Sequence, residues 1–252
     1  MLKAVFFDID GTLTSLKTKK IPESTYEALR QLQQRGIKIF IATGRHMIDV
    51  DQTPVKGLPF DGYVTLNGQI CLDKDRKSFY HLPLDEEDVH HMVQLFEKKE
   101  FQMLIAEMDR KYINYLTENE GELGFPKSEI GIYSGNKVYQ FMLRSNREKT
   151  KEIVADMKNS RAAYWPPDGT DIIPAAGGKM NGIKKTLEHY GIRREEMMAF
   201  GDGDNDKEML AFAHIGVAMG DADEEIKQYA DYVTVSVDED GVLKALQHLH
   251  VL

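Results

Sequence analysis

Asp8 and Asp10 flank a single residue directly after the apolar run Ala4-Val5-Phe6-Phe7 and ahead of Gly11-Thr12. Four apolar residues closed by a turn signal read as a buried strand, and Gly11 and Thr12 as the turn leaving it. The two carboxylates then sit near the strand's carboxyl end, where open α/β sheets bind ligands. Carboxylates this close repel, and a shared cation or a proton on one of them relieves the repulsion. Such a pair suits a nucleophile beside an acid/base group, working over a metal. The competing reading is a polar turn after a core strand, because Asp and Gly favour turns.

Three further segments place polar groups at strand ends or helix starts. The acidic loop Gly201-Asp202-Gly203-Asp204-Asn205-Asp206 follows the strand-like run Met197 to Phe200. Its crowded carboxylates call for a cation, although Asp and Asn also make good helix caps. An EF-hand counted from Asp202 would need Gly and Glu where Lys207 and Ala213 stand. A G-x-G-x-x-G dinucleotide fingerprint fails at Asp206, whose charge would repel a pyrophosphate. Thr43-Gly44-Arg45 follows the apolar run Ile37 to Ala42. The hydroxyl and backbone N–H groups there could hold phosphate oxygens or simply cap a helix. Lys179, in Gly177-Gly178-Lys179-Met180, is not a P-loop lysine: Ile173 and Met180 stand where Gly and Ser or Thr are required. It is either a solvated surface charge or a counter-charge to carboxylates and phosphate. The histidines form no cluster with metal-ligand spacing; His90 and His91 are adjacent, and His248 and His250 lie at the end of the chain.

The elements that must position these groups alternate at both ends of the chain. Ser24 to Gln34 reads as a helix with capping-box spacing between Ser24 and Glu27, and Ile37 to Ala42 as a strand of the kind buried in parallel sheets. Asn67-Gly68 between two apolar runs predicts a hairpin. After Pro174, helices at Met180 to His189, Lys207 to Ala213, Asp223 to Tyr229 and Val242 to Leu249 alternate with strands at Met197, Ile215 and Tyr232. The middle differs: helices at Asp85 to Lys99 and Lys149 to Met157 stand among strands at Gln102 to Met108, Lys111 to Leu116, Lys137 to Leu143 and Arg161 to Trp165, with Pro166-Pro167-Asp168-Gly169 as a turn. The expected fold is α/β: a doubly wound parallel sheet, Rossmann-like, over 1–81 and 175–252, with an α+β domain inserted at 82–174.

A net charge of −9 argues against a non-specific nucleic-acid partner. The single cysteine, Cys71, excludes an intrachain disulfide and a Cys-based zinc site. No apolar run approaches membrane-spanning length and the start of the chain has no signal-peptide pattern, so a cytoplasmic protein without a membrane partner is expected. Oligomeric state is not encoded legibly.

In content and order the four segments resemble the haloacid dehalogenase superfamily, and within it the Cof-type phosphatases with a large cap between the second and third motifs. Asp8-Ile9-Asp10-Gly11-Thr12 resembles the first motif, Thr43 after its strand the second, Lys179 the third, and Gly201-Asp202 through Asn205-Asp206 the fourth. The resemblance implies that Asp8 is a nucleophile taking the phosphoryl group, and that Asp10 protonates the leaving oxygen and then activates water. It implies Mg²⁺ held by the Asp8 side chain, the Asp10 backbone carbonyl and Asp202, with Asp206 in support. Gly11, Thr43, Gly44, Lys179 and Asn205 would lie against the phosphoryl group or its ester. The family commonly carries Gly directly after the third-motif lysine; here Met180 stands there, and Gly182 comes later. The implied substrate is a small phosphorylated metabolite, such as a sugar phosphate or a phosphorylated cofactor, with selectivity in the insert near Tyr112 to Tyr115 or Tyr139 to Arg144. A phosphomutase using the same aspartyl-phosphate and a non-catalytic phosphometabolite-binding regulator are the alternatives; a dinucleotide-dependent oxidoreductase is weakened by Asp206.

Overall fold

The computed structural model describes residues 1–116, 128–165 and 168–252, so Pro166 and Pro167 of the predicted turn lie outside the described residues. In chain order the elements begin with β1 (Ala4–Phe7), α1 (Glu23–Gln34), β2 (Lys38–Ala42), α2 (Met47–Val50), β3 (Gly62–Thr65), β4 (Ile70–Asp73) and β5 (Ser78–His81). Then come α3 (Glu86–Lys98), β6 (Met103–Ala106), β7 (Lys111–Ile113), β8 (Glu129–Ile130), β9 (Gln140–Arg144), α4 (Arg147–Ala155), β10 (Ser160–Trp165) and β11 (Gly169–Pro174). The chain finishes with α5 (Lys179–Tyr190), β12 (Met197–Gly201), α6 (Lys207–Phe212), β13 (Ile215–Ala218), α7 (Glu224–Lys227), β14 (Tyr232–Val233) and α8 (Gly241–His248). They fall into two compact units, Met1–Tyr80 with Lys179–Leu252, and His81–Gly178.

The first unit is built on a sheet of order β14-β13-β12-β1-β2-β3-β4-β5 among the described residues. Every pairing from β14 to β3 is parallel, and β4 runs antiparallel to β3. Alternate residues of β1 and β2 explain why the sheet must be covered twice. Ala4, Phe6, Phe40 and Ala42 pack with Ile183 and Leu187 of α5 and Met209 of α6 on one face. Val5, Phe7, Ile39 and Ile41, which point the other way, are equally buried. Each large side chain so buried contributes roughly 1.5–3 kcal/mol. The strands β1, β2 and β12 therefore end together, and the residues that follow them are delivered to one edge of the sheet.

Two local expectations for this unit are corrected. The α1 capping box does not form: the N-cap is Pro22, and Ser24 instead donates to Asp240 at 2.5 Å. The Asn67-Gly68 hairpin exists, but Thr65 pairs with Ile70, so the loop is residues 66–69 rather than a two-residue turn. Leu66, Asn67 and Gly68 all have positive φ, 49°, 53° and 91°. For Leu and Asn that conformation costs about 1–3 kcal/mol each and persists only where surroundings enforce it.

The second unit carries a sheet of order β10-β11-β9-β6-β7-β8 among the described residues, antiparallel except for β7 with β8. Val89, Met92, Val93 and Phe96 of α3 and Ile153 of α4 bury against Met103, Ile105, Phe141, Leu143 and Ile172, which share one sheet face. Strand β11 is not among the predicted strands: Thr170, Ile172 and Ile173 favour a strand, but the turn signal ending at Gly169 and the proline at 174 leave only residues 170–173 between them, and all of it is buried. Of the two stretches expected to select substrate, Tyr112, Phe141 and Leu143 belong to this apolar cluster.

Candidate active site

Asp8 continues β1 by one residue. Its N–H donates to the Phe200 carbonyl at 3.0 Å, so the backbone of the first carboxylate is fixed by the sheet. Lys179, the first residue of α5, is buried and sends its Nζ between two carboxylates, 2.6 Å from Asp8 Oδ1 and 2.6 Å from Asp206 Oδ1. The other oxygen of Asp206 accepts from the N–H groups of Asp202 and Gly203 at 3.0 and 2.9 Å. Thr12 Oγ1 donates to Asp202 Oδ1 at 2.8 Å. One oxygen each of Asp8, Asp202 and Asp206 lies within 4.8 Å of the others, the one such acidic group among the described residues. Gly11 has φ +84°, and a Cβ there would stand 2.2 Å from Asp202 Oδ2, so the turn needs glycine on both counts.

Three carboxylates and one ammonium leave this cluster a formal charge of −2. Burial, opposed by the Lys179 ammonium and reinforced by the charges of Asp206 and Asp10, raises the Asp8 carboxyl to about 7. Burial likewise holds Asp202 well above the usual carboxylate range, with Asp8 and Asp206 adding to it. Burial alone would discharge Lys179, but the charges of Asp206 and Asp8 and their hydrogen bonds prevail and keep it protonated. The donor set fits a hard divalent cation. Both oxygens of Asp206 are already engaged by donors, whereas Asp8 and Asp202 each have a second oxygen with no donor among the described residues.

The carboxylate of Asp10 is not a member of this cluster. Both of its oxygens are gripped by Arg45, from Nε at 2.6 Å and from the terminal nitrogen at 2.8 Å. The Asp10 bonds and the charges of Asp10, Asp49 and Asp8 keep the guanidinium protonated against burial. In the sequence Arg45 stands only as the end of the second segment. The signal was there: a guanidinium at one strand end and a carboxylate at the next are a natural bidentate pair.

Thr43 is buried at the end of β2, with its N–H donating to the Val64 carbonyl at 2.8 Å and its Oγ1 accepting from the Arg45 N–H at 3.2 Å. Gly44 lies between them in that loop. Asn205 donates from Nδ2 to Asn67 Oδ1 at 2.9 Å. The structure thus brings Asp8, Lys179, Asp202 and Asp206 into one contact network with Thr12, and links Asp10 to Arg45 and Asn205 to Asn67. The shifted glycine has a local reason. A Cβ on Gly182 would stand 2.7 Å from Gly68 Cα and 2.6 Å from Val64 Cγ1, so glycine is needed where α5 crosses the 66–68 turn. Met180 leaves Lys179 in place.

The sequence profile of a family described as haloacid dehalogenase-like hydrolase matches residues 5–246. YkrA of Bacillus subtilis (strain 168) is 34% identical over 257 residues, covering 99% of this chain and 98% of its own. The 5-amino-6-(5-phospho-D-ribitylamino)uracil phosphatase YitU of the same organism is 28% identical, with 96% of each chain covered. Among solved structures, the HAD subclass IIB sugar phosphatase BT4131 superposes with a TM-score of 0.90 at 36% identity, covering 99% of this chain and 100% of the other.

Proposed function

Because the chain belongs to the haloacid dehalogenase-like hydrolases, we propose that it is a Mg²⁺-dependent phosphatase of small phosphomonoesters that works through a phosphoryl group carried on Asp8. The observation that carries this reading is the state of Asp8. It is buried, one oxygen is held by Lys179, and the other has no donor among the described residues. Asp8 Oδ2 attacks phosphorus as the bond from phosphorus to the ester oxygen breaks, and Asp10, entering the cycle protonated with one oxygen released by Arg45, gives the ester oxygen its proton. Asp10 then takes a proton from water, which attacks the phosphorus and returns Asp8 as a carboxylate. Lys179 and the Thr43 hydroxyl hold the equatorial oxygens, where charge accumulates in a loose transition state. The Asp202 carboxylate, the Asp8 oxygen that also accepts from Lys179 and the Asp10 carbonyl would hold Mg²⁺, which would supply positive charge to the phosphoryl oxygens and offset the −2 of the cluster, leaving Asp8 Oδ2 for attack.

BT4131 is a sugar phosphatase and YitU acts on a phosphorylated ribitylaminouracil. These relatives support a sugar phosphate or a phosphorylated cofactor as substrate here. We assign the chemistry to the unit Met1–Tyr80 with Lys179–Leu252 and substrate selection to His81–Gly178. No helix among the described residues is long and apolar enough to cross a membrane, and Cys71 is a buried free thiol; a small phosphorylated metabolite as substrate fits the cytoplasm. The test is a phosphate-release screen over phosphomonoesters, repeated after exhaustive chelation and after Mg²⁺ is restored. Activity should vanish and return, with free phosphate released without a bisphosphate activator. Full turnover after chelation, or transfer without phosphate release, contradicts the proposal.

A further inference from the structure

The 66–68 turn does more than join two strands. The N–H groups of Leu66 and Asn67 donate to the carbonyls of Arg45 and Thr43, each at 3.0 Å, and so splint the loop after β2. Asn67 Oδ1 accepts from Asn205 Nδ2 at 2.9 Å and so reaches the loop after β12. Gly68 lies against Gly182 of α5, the helix that begins with Lys179. A single turn therefore touches the carriers of Thr43, Asn205 and Lys179. A four-residue hairpin loop needs no run of left-handed residues, since a type I turn suffices. Here three consecutive residues adopt positive φ, one of them a leucine. That conformation directs two adjacent N–H groups at one loop and the Asn67 amide at another. The turn is itself locked: Thr65 Oγ1 donates to the Ile70 carbonyl at 3.1 Å and Gln69 Nε2 to the Leu66 carbonyl at 2.6 Å. Asn67 is buried, so its amide reads the interior and not solvent. Backbone strain next to a site, maintained by several independent bonds, is the mark of a positioning device.

We infer that Asn67 is a positioning residue for phosphoryl binding: its left-handed turn and its amide lock together the loops that carry Thr43 and Asn205, and fix the helix that carries Lys179. The inference rests on the phosphatase reading for its consequence in turnover, but its consequence in anion binding stands apart from it.

The test is a double-mutant cycle on the full chain with Asn67→Gly, Asn205→Ala and the pair. Glycine keeps the left-handed backbone and removes only the amide. The readouts are the Kd of inorganic phosphate by calorimetry in saturating MgCl2, kcat and KM on p-nitrophenyl phosphate, and Tm. Each single substitution should weaken phosphate binding and kcat/KM by about tenfold, and the double variant should be no worse than the weaker single by more than about twofold, because both break the bond between Asn67 and Asn205. Tm of Asn67→Gly should stay close to that of the unaltered chain. Multiplicative losses in the double variant, or wild-type phosphate binding in either single, overturn the inference. Should Asn67→Gly fail to fold, Asn67→Ser takes its place, because its short side chain also lacks the amide, and wild-type phosphate binding in that variant likewise overturns the inference. An unaltered chain that binds phosphate but releases none from the ester overturns the phosphatase reading, and the binding cycle still decides the role of Asn67.

Discussion

At the residue scale the proposed division of labour between two neighbouring carboxylates rests on their surroundings. Asp8 is buried beside a lysine and two other carboxylates, whereas Asp10 is partly exposed and held by Arg45. A carboxylate fixed through both oxygens by a planar fork is aimed as well as charged, and lysine cannot reproduce that grip. Arg45→Lys should therefore lower kcat/KM by about tenfold while changing Tm little, because an ion pair this exposed contributes only about 0–1 kcal/mol to stability. Steady-state kinetics beside a thermal melt checks this; unchanged kinetics would remove Arg45 from the machinery. Asp10→Asn should cost about 10²- to 10⁴-fold in kcat on poor leaving groups and less on p-nitrophenyl phosphate in the phosphorylation step. A loss uniform across leaving groups contradicts the acid/base role. Asp8, Asp10, Lys179 and Asp202 were legible in the sequence because each stands at the end of an apolar run or the start of a helix. Arg45 and Asn67 were not, because their significance comes from partners 35 and 138 residues away along the chain.

At the element scale the same contrast holds. Strands β1, β2 and β12 are readable as continuous apolar runs, while β11 is a short Thr-Asp-Ile-Ile run between Gly169 and Pro174 that pairs with its antiparallel neighbours β9 and β10. The capping box of α1 failed because Pro22 already occupies the cap and Ser24 has a distant acceptor in Asp240. In the second unit Glu107, just past β6, is a buried carboxylate that no pattern announced. It accepts from Tyr112 OH at 2.7 Å, from Ser134 Oγ, and from Asn136 Nδ2 at 3.0 Å. Burial raises its pKa, but the bonds from Ser134, Asn136 and Tyr112 prevail and hold it below its ordinary 4.5. The stabilisation from a depressed carboxylate is complete above the unfolded value and is lost as pH falls through the folded one. Glu107→Gln should cost about 1–3 kcal/mol at neutral pH, since an amide nitrogen cannot accept from these donors. The gap between variant and unaltered chain, measured by urea denaturation, should narrow once pH drops below 4.5. A gap constant with pH would mean that the carboxylate's charge contributes nothing there.

At the scale of the whole molecule, all the proposed catalytic groups belong to the unit Met1–Tyr80 with Lys179–Leu252. Asn181 Nδ2 donates to Tyr80 OH at 2.9 Å, so the two points where the chain leaves and re-enters this unit are neighbours and a short flexible linker can join them. The shortened chain should still hydrolyse p-nitrophenyl phosphate slowly with Mg²⁺ present, and should lose most of its preference among natural phosphomonoesters. A folded, shortened chain that keeps the full substrate ranking would show that His81–Gly178 does not select substrate. The account as a whole stands on one covalent event, transfer of the phosphoryl group to Asp8. Its direct test is to mix the Asp10→Asn variant with p-nitrophenyl phosphate and Mg²⁺, quench in acid and locate phosphate by peptide mass spectrometry. The expected result is a phosphorylated peptide with the modification on Asp8, absent when Asp8→Asn is added. Turnover with no modified Asp8 peptide at any quench time, or label on another residue, would contradict it.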